Sequence, residues 1–196
     1  MEHIDAYIER WQRGDERAAE LIYNYFREPT FRLAYGLLGH REDAEEAAQD
    51  ALTYALVNIN KYDSSKARFS TWLHTITVSR CRDKRRRKIL PGFSLTEWLQ
   101  WGRDIPDERL LPEQETAVKE TKNDVWQAVQ SLKPKYKEAI IMRYWAGHTY
   151  KEMSEILGCP LPTAQSRVRL AFDQLRTQLA EAELNGLEAG RIDVKT

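Results

Sequence analysis

The chain has 196 residues, enough for one domain or two small ones, and its 30 basic and 30 acidic side chains cancel. Its two cysteines, Cys81 and Cys159, lie far apart, with no Cys-x-x-Cys and no nearby histidine pair, which excludes a disulfide framework and argues against structural zinc. No stretch approaches the roughly 20 apolar residues that span a bilayer and the N-terminus has no apolar signal core, so a soluble, cytoplasmic chain with reduced thiols is expected.

The neutral total hides blocks of opposite sign. Residues 1–60 carry 6 basic and 12 acidic groups, 61–88 carry 10 and 2, 89–130 carry 4 and 8, and 131–196 carry 10 and 8. Such alternation presents separate acidic and basic surfaces.

Strand signals are scarce, and apolar residues recur at helical spacing. Residues 4–12 and 16–26 read as two helices broken near Gly14, the second with Ala18, Leu21, Ile22, Tyr25 and Phe26 on one face. Pro29 is expected to end it, and Phe31–Leu38 to begin another that closes at Gly39. A long helix follows from Asp43, where Asp43-x-x-Glu46 resembles a capping box. Its stripe of Ala44, Ala47, Ala48, Ala51, Leu52, Ala55, Leu56 and Ile59 is small enough for close helix approach. Glu42, Glu45, Glu46, Gln49 and Asp50 are left outside, and an acidic helix face taken alone is ordinary solvated surface.

Tyr62–Arg68 is a short polar loop. The helix after it puts Phe69, Trp72, Leu73 and Ile76 on one side and Thr75, Ser79, Arg82 and Arg86 on another. Basic residues draw a phosphate backbone, and aromatics accept unstacked bases. A solvated basic face over an aromatic core stripe explains the same residues equally well. Residues 89–123 turn acidic and carry Pro91, Gly92, Gly102, Pro106 and Pro112, as a linker does. A short helix is expected near 95–101. Its Trp98 and Trp101 dock either on the protein's own core or on a partner.

Val118–Leu132, with Val125, Val129 and Leu132 together, and Tyr136–Trp145 are again helical. After Gly147 the sequence HTYKEMSEILGCPLPTAQSRVRLAFDQLRTQL holds the most information. Thr149-x-x-Glu152 is a capping box, Gly158-Cys159-Pro160 is a tight turn, and a second amphipathic helix buries Ala164, Val168, Phe172 or Ala171, Leu175 and Leu179. Two short helices about a Gly-containing turn match the helix-turn-helix, whose second helix enters the major groove. Its outward residues are Thr163, Gln165, Ser166, Arg167 and Arg169, with Lys151 on the helix before. Gln pairs with adenine and Arg with guanine. No Gly-rich phosphate loop or His-Glu-x-x-His motif is present, and His3, His40, His74 and His148 are scattered, so no catalytic group, metal or cofactor is expected.

The order of parts is informative. REDAEEAAQDALTYALVNINKYD, then ARFSTWLHTITVSRCRDKRRRK, a linker, and SLKPKYKEAIIMRYWAGHTYKEMSEILGCPLPTAQSRVRLAFDQLR together resemble a bacterial RNA polymerase sigma factor. The likeness is to the small extracytoplasmic-function (ECF) group of the sigma-70 family, and covers roughly residues 7–180. It implies an all-α fold of two small helical domains joined by a flexible linker. The first spans 1–90, the linker 91–120, the helix-turn-helix domain 121–182 and a loosely ordered tail 183–196.

The resemblance also implies roles. The chain would bind core RNA polymerase, direct it to promoters and assist opening. Glu42, Asp43, Glu45, Glu46, Gln49 and Asp50 would meet the clamp helices of the largest subunit, and the flap is a further expected contact on core polymerase. Tyr62, Ser64, Ser65, Lys66, Arg68, Phe69, Trp72, Thr75, Ser79, Arg82 and Arg86 would read the single-stranded minus-ten element, with Arg80–Lys88 gripping phosphates. Lys151, Thr163, Gln165, Ser166, Arg167 and Arg169 would read the minus-thirty-five duplex. An anti-sigma factor is an expected partner, and where membrane-bound it would hold this otherwise cytoplasmic protein at the membrane. Many members have Asn in place of Ser79, Arg in place of Gln165 and Gly in place of Pro162, so promoter sequence does not carry over. The alternatives are a free-standing helix-turn-helix regulator, which would lack polymerase affinity, and a nucleic-acid enzyme, which would cleave DNA with metal.

Overall fold

The computed structural model describes residues 2–89 and 116–192, with side chains placed over 4–88 and 123–180. The helix expected near 95–101, with Trp98 and Trp101, falls outside the described residues. Among those residues every regular element is a helix. α1 (Glu2–Gln12) and α2 (Glu16–Leu38) are separated at Gly14, whose φ is 92°. Asp15 caps α2 by accepting the Arg17 N–H at 3.1 Å, and Arg10 holds that carboxylate at 2.6 Å.

α2 does not stop at Pro29. It runs through to Gly39, which caps it in the left-handed region (φ 73°) and donates its N–H to the Tyr35 carbonyl at 2.7 Å. An interior proline costs roughly 3 kcal/mol. Here Phe26, Thr30, Leu33 and Leu37 are buried on either side of it. At about 1.5–3 kcal/mol per fully buried large apolar side chain, that packing outweighs the lost bond.

α3 (Arg41–Val57) starts three residues earlier than the capping-box pattern suggests, with His40 at its N-cap. Asp43 therefore sits inside the first turn and is buried. The alanine stripe is buried as expected, and it lets α2 and α4 (Phe69–Ile89) close on α3 from both sides. A 3₁₀ turn at Ile59–Lys61 leads into the loop before α4.

In the second domain α5 (Thr116–Ser131) begins inside the segment expected as linker. It buries Trp126 and Ala128, with Leu132 buried just past its end, while Val125 is exposed. α6 (Pro134–Ile140) continues into a π-helical turn, Ile141–Trp145, marked by the Ala146 N–H reaching the Ile141 carbonyl at 2.9 Å. α7 (Tyr150–Leu157) and α8 (Leu161–Ile192) form the helix-turn-helix, and α8 extends over most of the expected tail.

Two apolar cores result. One lies within the first domain: Ile8, Ile22, Phe26, Leu52, Phe69 and Leu73. The other crosses between domains. Leu33, Tyr35, Leu37, Val78 and Cys81 pack in one cluster with Trp126, Ile141, Met142, Met153 and Leu157. The rings of Tyr35 and Trp126 stack at 5.1 Å and 15°. Gln130 donates to the Gly36 carbonyl at 3.0 Å. The two helical domains are thus packed against each other.

Candidate nucleic-acid and polymerase interface

The loop before α4 is braced from beneath. Trp11 donates to the Leu56 carbonyl at 2.9 Å, and Gln12 reaches the carbonyls of Ile59 and Tyr62 at 3.2 and 3.3 Å. Tyr62 is buried, its ring edge-on to Phe69 and tilted against Trp72, and its hydroxyl donates to the Ala67 carbonyl at 3.1 Å. Phe69 is buried too. Of the aromatics expected to take bases, Tyr62 and Phe69 therefore hold the loop in place, and Trp72 is half-buried against them. At the tip Asp63 accepts from the Ser65 backbone and hydroxyl at 3.0 and 2.6 Å and pairs with Lys66 at 3.2 Å. Those bonds hold the Asp63 carboxyl below its ordinary value. Ser64, Ser65 and Lys66 are exposed around it.

Along α4, Thr75, Ser79 and Arg86 are exposed on one side, one turn after another. Arg82 shares that row, but it is bound from the other domain. Its guanidinium donates to the Glu138 carboxylate at 2.7 Å and to the Leu157 carbonyl at 3.3 Å. The rest of the basic run is mostly occupied as well. Lys84 pairs with Glu46 and Asp43, Lys88 with Asp43 at 2.5 Å, Arg85 with Glu138, and Arg86 with Asp83 at 3.0 Å. Arg80 lies over the Tyr54 ring at 4.8 Å. Of Arg80–Lys88 only Arg86 and Arg87 are exposed, and the others that carry charge are drawn largely into ion pairs or ring contacts, so the sequence's basic run is not a continuous free surface.

The outer face of α3 does point outward: Glu42, Glu45, Glu46, Gln49 and Asp50 are exposed. Asp43 departs from that group, turned inward at 5% exposure between Lys84 and Lys88. Beside this face an open groove of about 340 Å³ runs between α2 and α3, lined by Tyr23, Arg27, Phe31, Arg41, Glu45 and Gln49.

In the helix-turn-helix the Thr149 side chain accepts the Glu152 N–H at 3.3 Å while Glu152 accepts the Thr149 N–H at 2.8 Å. Gly158, at φ 63°, ends α7, and Ser154 Oγ donates to the Cys159 carbonyl at 2.7 Å to fix the turn. α8 buries Ala164, Val168, Ala171 and Leu175. Gln165 and Arg169 are exposed, Thr163, Ser166 and Arg167 are half-buried, and Lys151 is exposed on α7. The inner stripe takes Ala171 and not Phe172, which is exposed with its ring edge-on to Tyr144 at 5.1 Å.

Sequence reasoning misses the polar seam between the domains. Arg68 pairs with Glu152 at 2.6 Å, Thr71 donates to the same carboxylate at 3.4 Å, and His74 Nδ1 lies 2.7 Å from His148 Nε2. These partners are 74–84 residues apart in the chain, and no local spacing signals them. Glu138 is 3% exposed. Burial pushes its carboxyl up, but the Arg82 hydrogen bond and the Arg85 charge outweigh that and hold it below the ordinary value. Burial likewise pushes Glu152 up, but the Arg68 and Thr149 bonds outweigh it and bring its carboxyl down to about 2. His74 is pushed down to about 3, first by burial and then by the neighbouring His148.

Residues 22–89 match the family model for Sigma-70 region 2, and residues 122–175 match that for Sigma-70, region 4. The chain is 31% identical to the ECF RNA polymerase sigma factor SigW of Bacillus subtilis, covering 91% of this chain and 97% of that protein. It is 32% identical to the ECF RNA polymerase sigma factor SigE of Mycolicibacterium smegmatis, over 86% of this chain and 65% of that one. Among solved structures, the sigma factor RpoE in complex with the anti-sigma factor NepR from Bartonella quintana aligns with TM-score 0.63 at 22% identity, covering 82% of this chain and 96% of that one.

Proposed function

The chain belongs to the ECF group of the sigma-70 family of RNA polymerase sigma factors, and on that premise we propose how its surfaces divide the work of initiation. As a sigma factor it binds core RNA polymerase, directs it to promoters and assists their opening, and the polymerase carries out the chemistry. The outer face of α3, Glu42, Glu45, Glu46, Gln49 and Asp50, with the groove toward α2, takes the clamp helices of the largest subunit. A convex acidic face beside a cleft of both charges suits a basic helical partner.

Ser64, Ser65 and Lys66 at the loop tip, with Thr75 and Ser79 on α4, receive unstacked bases of the non-template strand. Tyr62, Phe69 and Trp72 serve them from below as a rigid footing. Each base so captured is worth roughly 1–3 kcal/mol, which drives strand opening. The first turns of α8 enter the major groove at the minus-thirty-five element, Gln165 and Arg169 foremost. Control by an anti-sigma factor, at the membrane where that partner is anchored there, completes the reading. No helix among the described residues is long and apolar enough to cross a membrane.

The observation that carries this reading is the pairing of two matched regions in order, each with its proposed contact residues outward. Run-off transcription with core polymerase on a panel of genomic promoters tests it. Specific transcripts that depend on this chain are expected. Failure to bind core polymerase, with no specific transcript where a known sigma factor gives one, overturns it.

A further inference from the structure

We infer that Trp11 and Gln12, at the end of α1, are positioning residues for minus-ten reading: they clasp the chain where α3 gives way to the loop, and so set how Ser64, Ser65 and Lys66 are presented to a base. This rests on the assignment of that loop to the non-template strand given above. A helix leaves its last carbonyls without intrahelical donors. At the end of α3 the Leu56 carbonyl takes the Trp11 indole N–H at 2.9 Å. Beyond it the Ile59 and Tyr62 carbonyls, at the start of the 3₁₀ turn and just past its end, both accept from the Gln12 amide, at 3.2 and 3.3 Å. Two acceptors face that side chain, so only its NH₂ end fits there.

α1 is seated on its own account. Ile4 and Ile8 are buried in the first core beside Leu52 and Ile59, and Arg10 ties the helix to Asp15 at the start of α2. From that seat the constraint reaches the loop through one residue. Tyr62 accepts Gln12 at its carbonyl and donates its hydroxyl to the Ala67 carbonyl at 3.1 Å, which joins the first position of the loop to its last but one. Between them Asp63 holds Ser65 and Lys66. The tip is thus carried by Tyr62, and Tyr62 by α1. A loop fixed beforehand loses little freedom when it takes a base, and it cannot reshape itself around a wrong one. Gln12 is itself exposed, so its bonds add little to the stability of the core, and the clasp can be altered without unfolding the domain. The residues proposed for polymerase end at Asp50, more than a turn before Leu56, and lie outside it.

The test uses the full chain with core polymerase, on a promoter that the wild type transcribes and on libraries of it randomised at each element. Three variants separate hydrogen-bond donation from shape. Q12E keeps the shape and sets a carboxylate against two carbonyls, Q12K keeps a donor of similar reach but changes the shape, and W11F keeps a ring without the N–H. Q12E and W11F are expected to reduce discrimination among minus-ten sequences at least fivefold in abortive initiation, and to hasten amide exchange over residues 59–67. Q12K is expected to stay within twofold of wild type in both. Core-polymerase affinity and minus-thirty-five preference are expected to hold at wild type in all three, whereas general damage to the fold would lower them along with minus-ten preference. Q12E and W11F that match the wild type, a Q12K as impaired as Q12E, or parallel loss of all three properties each overturn the proposal. S64A/S65A/K66A separates it from the reading it rests on. Altered minus-ten preference in that variant, beside wild-type behaviour of Q12E and W11F, fails the clasp alone. Wild-type preference in that variant fails the loop assignment, and the clasp's part in reading with it.

Discussion

His74 of the first domain and His148 of the second meet across the seam with their facing nitrogens 2.7 Å apart. Only one of two such nitrogens can carry a proton, so the contact requires at least one neutral ring. The groups around the pair are Glu152, 3.7 Å from His148, and Arg68, which pairs with Glu152. Burial lowers both histidines, and the Glu152 charge pulls the other way without overcoming it.

Packing across the seam should therefore weaken in mild acid, and the two domains should part. In the parted form His74 returns toward its ordinary 6.5, while in the packed form it sits near 3. The histidine contribution is complete above pH 6.5 and falls as the parted form takes up protons that the packed form refuses. Each pH unit below that point shifts the equilibrium up to about tenfold toward the parted form, or about 1.4 kcal/mol. Glu138 and Glu152 act in the same direction at lower pH, since both carboxyls lie below their ordinary 4.5 when packed. The radius of gyration and Cys81 reactivity should rise between pH 7.5 and 5, and H74Q/H148Q should flatten that step. A profile with no change over this range would rule the histidine pair out as the sensor.

Asp43 and Glu45 should separate stability from binding. Asp43 is buried between Lys84 and Lys88, which are themselves partly exposed. Stranding one partner of a fully buried pair costs about 3–5 kcal/mol; with this solvent access, Asp43→Asn should cost roughly 1–3 kcal/mol in urea unfolding. Its polymerase affinity, measured on the folded fraction, should stay near wild type. E45K/E46K should do the reverse, weakening core-polymerase binding at least tenfold in a pull-down titration with little loss of stability. Equal affinities would remove the α3 face from the interface.

This contrast marks what was legible in the sequence. The order and type of helices, the alanine stripe of α3, the Thr149 capping box and the Gly158 turn all follow from local chemistry. Side chains three to five apart settle them. Pro29 misleads because its cost is local while its compensation, Phe26 and Leu33 in two cores, is tertiary. Asp43 misleads because its partners lie 41 and 45 positions on, at Lys84 and Lys88 of α4. Phe172 and Ala171 fit the stripe equally at helical spacing, and the close fit of α8 in its domain selects the smaller. The seam was illegible altogether, since Glu138, His148 and Glu152 acquire meaning only when α6 and α7 lie against α4.

On α8, proposed above to enter the major groove, Gln165 is exposed and Arg167 half-buried near its start. Gln presents both a donor and an acceptor, the complement of the adenine major-groove edge; Arg complements guanine. Gln165→Ala should relax base preference at one minus-thirty-five position by about 1–3 kcal/mol, measured over a randomised promoter library. Arg167→Ala should do so at a neighbouring position. A library profile unchanged by both would assign them to phosphate or to no contact.

Ser79 is the sharpest test of how this chain reads single strands. It is exposed on α4 one turn beyond Thr75, at a position where the resemblance to sigma factors implies Asn. A serine hydroxyl is one short group that both donates and accepts, whereas an asparagine amide reaches farther and presents a separate donor and acceptor. A base seated against Ser79 is thus discriminated by fit more than by paired hydrogen bonds, and the penalty for a wrong base is smaller. Ser79→Asn should sharpen and change the preferred base at one minus-ten position, leaving minus-thirty-five preference alone because the proposed reader of that element is α8. Abortive-initiation rates across a library randomised at the minus-ten element measure both effects. If the substituted protein ranks the library as the wild type does, Ser79 does not line the base site, and the base-reading surface lies nearer the loop tip at Ser64–Lys66.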